Sequence, residues 1–221
     1  MLKSKYCVYA FAAMLLFSCK NQNDTQTLAD KTFTIKGSID FASTNTLYLH
    51  QIIGNNIKKI DSVLLSGKKE FELKGKLPEV GFYRLELKEK GATVFVLNAS
   101  PIQLLLKGNE ELPLFEIKGS PLNDDFEAIV AIQQKYRDKI DSLNQKYILA
   151  ENLNDATMLS QIEKQYSVVN DESVQALKNA IRLKDKTIVS VYAASSLDPK
   201  TNGDFLDSLA TALLPSVDNS I

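Results

Sequence analysis

The feature that most constrains this chain is a change in the spacing of its hydrophobic residues near position 120. Before it, apolar side chains alternate with polar ones in short runs. After it, they recur every three or four residues. The first spacing puts one face of a strand on a core and the other in water, and the second draws one stripe along a helix. A chain written this way builds its sheets first and its helices second.

Eight runs carry the alternation: TFTIKGSI (32–39), NTLYLHQI (45–52), NIKKIDSVLL (56–65), EFELKGKL (70–77), FYRLELK (82–88), TVFVLN (93–98), IQLLLK (102–107) and LFEIKG (114–119). Turn formers such as Gly54-Asn55-Asn56, Ser66-Gly67-Lys68, Pro78, Gly91, Pro101 and Gly108-Asn109 separate them. Short strands at this spacing with tight turns predict an antiparallel sandwich or barrel over residues 33–119.

The helical part, residues 120–215, opens with Ser120 as N-cap, Pro121 at the first helical position, and Asp124 and Asp125 near the positive end of the helix dipole. Phe126, Ile129, Ile132, Tyr136, Ile140, Leu143 and Tyr147 form one stripe. Leu159, Ile162, Tyr166, Val169, Ser173, Ala176, Ala180 and Leu183 form a second. Two long helices with a short link predict an antiparallel hairpin. KTIVSVYAASSLDP (186–199) reads as a shorter helix stopped by Pro199, and NGDFLDSLATALLP (202–215) as a fourth ending before Pro215. The expected fold class is therefore α+β: about eight strands, then a helical hairpin, two shorter helices and a polar tail at 216–221.

Composition narrows the chemistry. The formal net charge is −1, which gives no single-sign field for nucleic acid or anionic lipid. There is no tryptophan and one histidine, His50. No cysteine, histidine or carboxylate partner stands near His50 at metal-ligand spacing, so it reads as a half-exposed structural residue. Asp61-Ser62 offers an acid and a hydroxyl, but no second histidine exists to act as base. No Gly-rich phosphate loop, Gly-x-Ser-x-Gly elbow or Cys-x-x-Cys is present. The sequence thus implies no catalytic residue, no cofactor and no metal. Phe82, Tyr83 and Tyr48 are available to a glycan or peptide ligand, though each also reads as a strand core residue.

The N-terminus reads as a lipoprotein leader. MLKSKY carries Lys3 and Lys5 and no acid, and CVYAFAAMLLF (7–17) is apolar yet short for a bilayer. Leu16-Phe17-Ser18-Cys19 resembles a bacterial lipobox, in which the cysteine is joined to diacylglycerol and becomes the new N-terminus. Phe17 departs from the small or β-branched residue common at its position; a plain secretory signal or a buried helix is the alternative. With residues 1–18 removed, the formal charge moves from −1 to −3, and Cys19 is the sole remaining cysteine. Its capping leaves no free thiol in an oxidising envelope. Lys20 follows it, which points to the outer membrane by the Gram-negative sorting rule, with the face left open. Residues 19–32 lack aromatic residues and periodicity and read as a flexible tether. Some Gram-negative envelope proteins carry O-glycans on Asp-Ser/Thr-aliphatic tripeptides, and Ser62, Ser142 and Ser208 stand in that pattern.

The succession of lipobox, FTIKGSI, KKIDSVLLSGKKEFELKGK, FYRLEL, IKGSPLNDDF, helical hairpin and TIVSVYAAS resembles the N-terminal part of thioredoxin-like envelope lipoproteins of Gram-negative bacteria. The resemblance spans roughly residues 33–214. It implies a β-rich domain of no assigned function that precedes a thioredoxin or alkyl-hydroperoxide-reductase-type domain. This sequence holds no Cys-x-x-Cys onto which that redox activity could be carried. The expectation is a lipid-anchored, non-catalytic envelope module that binds or positions an unknown protein or small ligand. It is either part of a longer gene product or a stand-alone relative.

Overall fold

The structure, a computed structural model, describes residues 31–183 and 187–218, with side chains as far as Leu214. The leader, Cys7, Cys19 and almost all of the predicted tether lie outside the described residues.

Eight strands come first: β1 (Thr32–Ile39), β2 (Thr46–Ile53), β3 (Asn56–Leu64), β4 (Glu70–Lys76), β5 (Gly81–Leu87), β6 (Gly91–Leu97), β7 (Ile102–Gly108) and β8 (Pro113–Lys118). They form two four-stranded sheets, ordered β4-β1-β7-β8 and β3-β2-β5-β6. Alternate residues of both sheets meet in one core that includes Phe33, Ile35, Leu47, Leu49, Leu73, Tyr83, Leu85, Phe95, Leu104 and Leu106. This is the predicted sandwich, with one departure: β1 and β7 pair in parallel, Ile35 opposite Ile102 through Ile39 opposite Leu106. The β1–β4 ladder contains two reciprocal aromatic-on-glycine pairs. Phe33 faces Gly75 and Phe71 faces Gly37 in register. A Cβ on Gly37 would lie 2.0 Å from Phe71 Cζ, so the ring occupies the space that glycine leaves.

The chain then turns into α1 (Pro121–Asn152), α2 (Ala156–Leu183), α3 (Ile188–Ala194) and α4 (Pro199–Asp218). Pro121 takes the first helical position as predicted. Ser120 is the N-cap, but its hydroxyl makes no capping bond; its carbonyl accepts from Asn123 N–H and Asp124 N–H at 2.9 and 3.1 Å. The predicted hairpin is present, and its far end has its own small core of Leu143, Ala150 and Ile162 with Tyr147, Leu159, Tyr166 and Val169. Several details differ from expectation. The α2 stripe leaves Ser173 and Ala176, and Val174, Leu177 and Ile181 pack together with the predicted Ala180. Leu183 is exposed. Pro199 begins α4 rather than only stopping α3, because proline is tolerated where the N–H has no helical acceptor. The Asn202 cluster is a kink within α4, φ −126° and ψ 18°, and the helix continues past Pro215 to Asp218, into the predicted tail.

The helical part sits on the outer face of the second sheet at its β6 side. Val96, which faces outward, joins Phe126, Ile129, Leu177, Ile181, Val189, Ala193, Leu197 and Leu209 in a second core. Phe82, Phe126 and Tyr192 form an aromatic triangle with centroid separations of 5.4, 5.4 and 5.0 Å.

Candidate functional site

The outer faces of the two sheets differ. On the first sheet the outward residues form charged ladders without aromatics. Lys36 stands opposite Glu72, which also meets Lys74 at 3.2 Å. Glu116 lies between Lys107 and Lys118, and their hydrogen bonds lower its carboxyl from 4.5 to about 2. Among the described residues no outward-facing aromatic ring stands on this face.

The second sheet carries the richer surface. Cross-strand register places Ser62, Tyr48, Glu86 and Ala92 in one row and Lys59, His50, Arg84 and Val94 in the next. His50 stacks beside Tyr48 with centroids 5.9 Å apart, and Lys59 Nζ lies 4.7 Å from the centre of the Tyr48 ring. His50 Nδ1 is 4.0 Å from Glu86 Oε2, too long for a hydrogen bond, while Arg84 meets Glu86 at 3.4 Å. His50 Nδ1 and Arg84 Nε are buried atoms without a hydrogen-bond partner among the described residues. His50 is thus more buried than the half-exposed residue expected, with its side chain 14% exposed. Among the described residues no group of three or more His, Cys, Asp or Glu is placed to hold a metal ion.

Asp61 and Ser62 do not form a nucleophile-and-acid pair. They lie beside a bulge in β3, and Asp61 Oδ1 accepts from the Ser62 backbone N–H at 2.7 Å. The three predicted glycan acceptors are dispersed: Ser62 is half-buried on edge strand β3, Ser142 is exposed on α1, and Ser208 is exposed on α4. Of the three aromatics considered for a ligand, Tyr83 is fully buried and donates its hydroxyl to Glu79 O at 2.9 Å. Burial raises the Tyr83 pKa above its ordinary value. Phe82 lies under Phe126 and Tyr192, and Tyr48 alone is half-exposed on the part of the face the helices leave bare.

One residue that sequence reasoning missed is Asn123. It is buried, and its side chain pairs with the β6 edge like another strand. Val96 N–H donates to Asn123 Oδ1 and Asn123 Nδ2 donates to Val96 O, both at 2.8 Å. An amide is the one side-chain group that offers an acceptor and a donor in the geometry of a peptide unit. Asn123 therefore closes the edge of the second sheet and fixes α1 to it. The available signal was an Asn inside a helix start already supplied with caps and acids, in GSPLNDDF.

The helices also enclose a cleft between α2 and the first turns of α4, about 640 Å³ in volume. Lys178, Arg182 and Lys200 line it together with Phe205, Ile181 and Leu209. Among the described residues no helix is long and apolar enough to cross a membrane.

Residues 33–126 match the protein family described as a domain of unknown function, DUF4369. The match covers the sandwich and α1 as far as Phe126, and so includes both Asn123 and the first aromatic of the second core. No curated protein matches the chain.

Proposed function

We propose that this chain is a lipid-anchored, non-catalytic module of the cell envelope that binds or positions a partner protein, the partner class being thiol-disulfide oxidoreductases of the thioredoxin type. The observation that carries the reading is the placement of the cysteines. Both stand in the first twenty residues, Cys19 follows a lipobox-like tetrapeptide, and a polar stretch separates it from the first strand at Thr32. A capped Cys19 leaves residues 19–221 without a free thiol, so thiol chemistry belongs outside this stretch. The resemblance to thioredoxin-like lipoproteins supplies the partner class.

The test is fractionation of a Gram-negative host expressing the full chain. Wild type pellets with membranes and takes up a labelled fatty acid, whereas Cys19→Ala takes up none. Equal labelling of the two, or none in wild type, would overturn the anchor. The purified protein shows no thiol-dependent insulin reduction and no peroxidase activity; turnover in either assay would overturn the non-catalytic assignment.

A second reading, capture of a glycan or peptide, is favoured by the bare rows of the second sheet. Tyr48 with His50, Arg84 and Glu86 offers one stacking surface and several polar groups. Tyr48→Ala then abolishes binding in a screen of neutral oligosaccharides and short peptides, whereas a screen with no binder at all contradicts this reading.

A further inference from the structure

We infer that the cleft between α2 and α4 binds a small monocarboxylate with an apolar body. Two helices build it. Lys178 and Arg182 stand one turn apart on α2, with Lys178 Nζ 5.4 Å and Arg182 Cζ 5.2 Å from the centre of the Phe205 ring. Lys200, Thr201 and Gly203 come from the first turns of α4, Ile181 and Leu209 lie buried beneath the cleft, and Phe205 and Ala212 supply its accessible apolar surface.

The charge balance points to an anion. Like charges at this helical spacing repel. Phe205 offsets part of that repulsion, but it gives no hydrogen-bond acceptor to either cation. Arg182 has one long bond, 3.4 Å to Asn179, and none of the three cations is ion-paired with another described residue. Among the described residues Asp204 is the one acid in the lining, which gives three positive groups against one negative. That excess suits a single carboxylate, which the Arg182 fork can take on two atoms. Phosphate could meet the same charge, and it is the accessible faces of Phe205 and Ala212 that suit a hydrocarbon body. This site lies beyond the family match at 33–126 and does not depend on the lipid anchor.

The experiment is a titration of the isotope-labelled full chain, held in nanodiscs, with hexanoate, followed through the amides of 178–182 and 203–208. Acetate, hexanol and inorganic phosphate are the comparison probes, and a tripeptide with a free C-terminal leucine separates a peptide terminus from a free acid. Hexanoate gives saturable shifts confined to the cleft, while acetate and hexanol bind at least about tenfold more weakly. The double substitution Lys178→Ala with Arg182→Ala weakens hexanoate by at least about tenfold, and Lys178→Arg with Arg182→Lys retains it. Lys200→Ala, on an exposed first turn, also weakens binding and serves if the double variant does not fold. Absence of saturable shifts, equal binding of hexanol, or unchanged affinity in folded Lys200→Ala would overturn the inference. Tighter binding of phosphate than of hexanoate would overturn the ligand class.

Discussion

Replacing Asn123 by alanine isolates the joint between sandwich and helices. The side chain makes two hydrogen bonds to Val96, each 2.8 Å and each buried. Truncation leaves a backbone N–H and a backbone C=O without partners, and a buried unpaired group costs about 1–3 kcal/mol. Asn123→Ala therefore destabilises by about 2–6 kcal/mol, a large part of the 5–15 kcal/mol typical of a domain. Urea unfolding followed by circular dichroism measures the total. Native-state hydrogen exchange at the Val96 amide locates it, because that N–H loses its acceptor. The loss appears as a lower midpoint with unchanged slope, together with faster exchange at Val96. A cost below about 1 kcal/mol with unchanged Val96 protection refutes the reasoning, since the amide would then be replaceable by water.

Three further perturbations follow from single contacts. Ser120→Ala changes stability by no more than about 0.5 kcal/mol in the same urea assay, not the ~1 kcal/mol usual for an N-cap, because the hydroxyl makes no cap bond. Gly37→Ala lowers stability by about 1–3 kcal/mol, since its Cβ meets the Phe71 ring, and Phe71→Leu in the same chain recovers part of the loss; an unchanged midpoint contradicts this. Glu116→Gln removes a carboxylate whose folded pKa is depressed, so its small stabilising effect is present above pH 4.5 and fades as pH falls towards about 2. Thermal melts of the two proteins therefore differ slightly at neutral pH and converge in acid, and the difference shrinks with salt; a gap that widens in acid contradicts the assignment.

The strands were legible because each signal was local. Alternation in FTIKGSI and EFELKGK set the faces, and Gly or Pro marked the turns. The parallel β1–β7 pair was not, because register between distant strands is settled by packing of the whole sandwich. The α1 stripe was legible along its length. The α2 stripe was legible as far as Val169 and beyond it only at Ala180, because α2 serves two cores: Ile162 and Tyr166 pack on the far end of α1, while Leu177 and Ile181 pack on the sheet-side cluster. A single spacing rule cannot anticipate that change of partner. Asn123 was hidden for a similar reason. Polar residues at a helix start read as caps, and its partner lies on β6. The cationic cleft needs α2 and α4 side by side, which neither stripe announces. The lipobox-like tetrapeptide, by contrast, is read entirely from sequence.

The central claim is that Cys19 is an attachment point and not a thiol. Mass spectrometry of the N-terminal peptide from protein made in a Gram-negative host tests it most directly. The account predicts a chain that begins at Cys19 and carries a diacylglyceryl thioether. A peptide that runs through Ser18 into an unmodified Cys19 would contradict it.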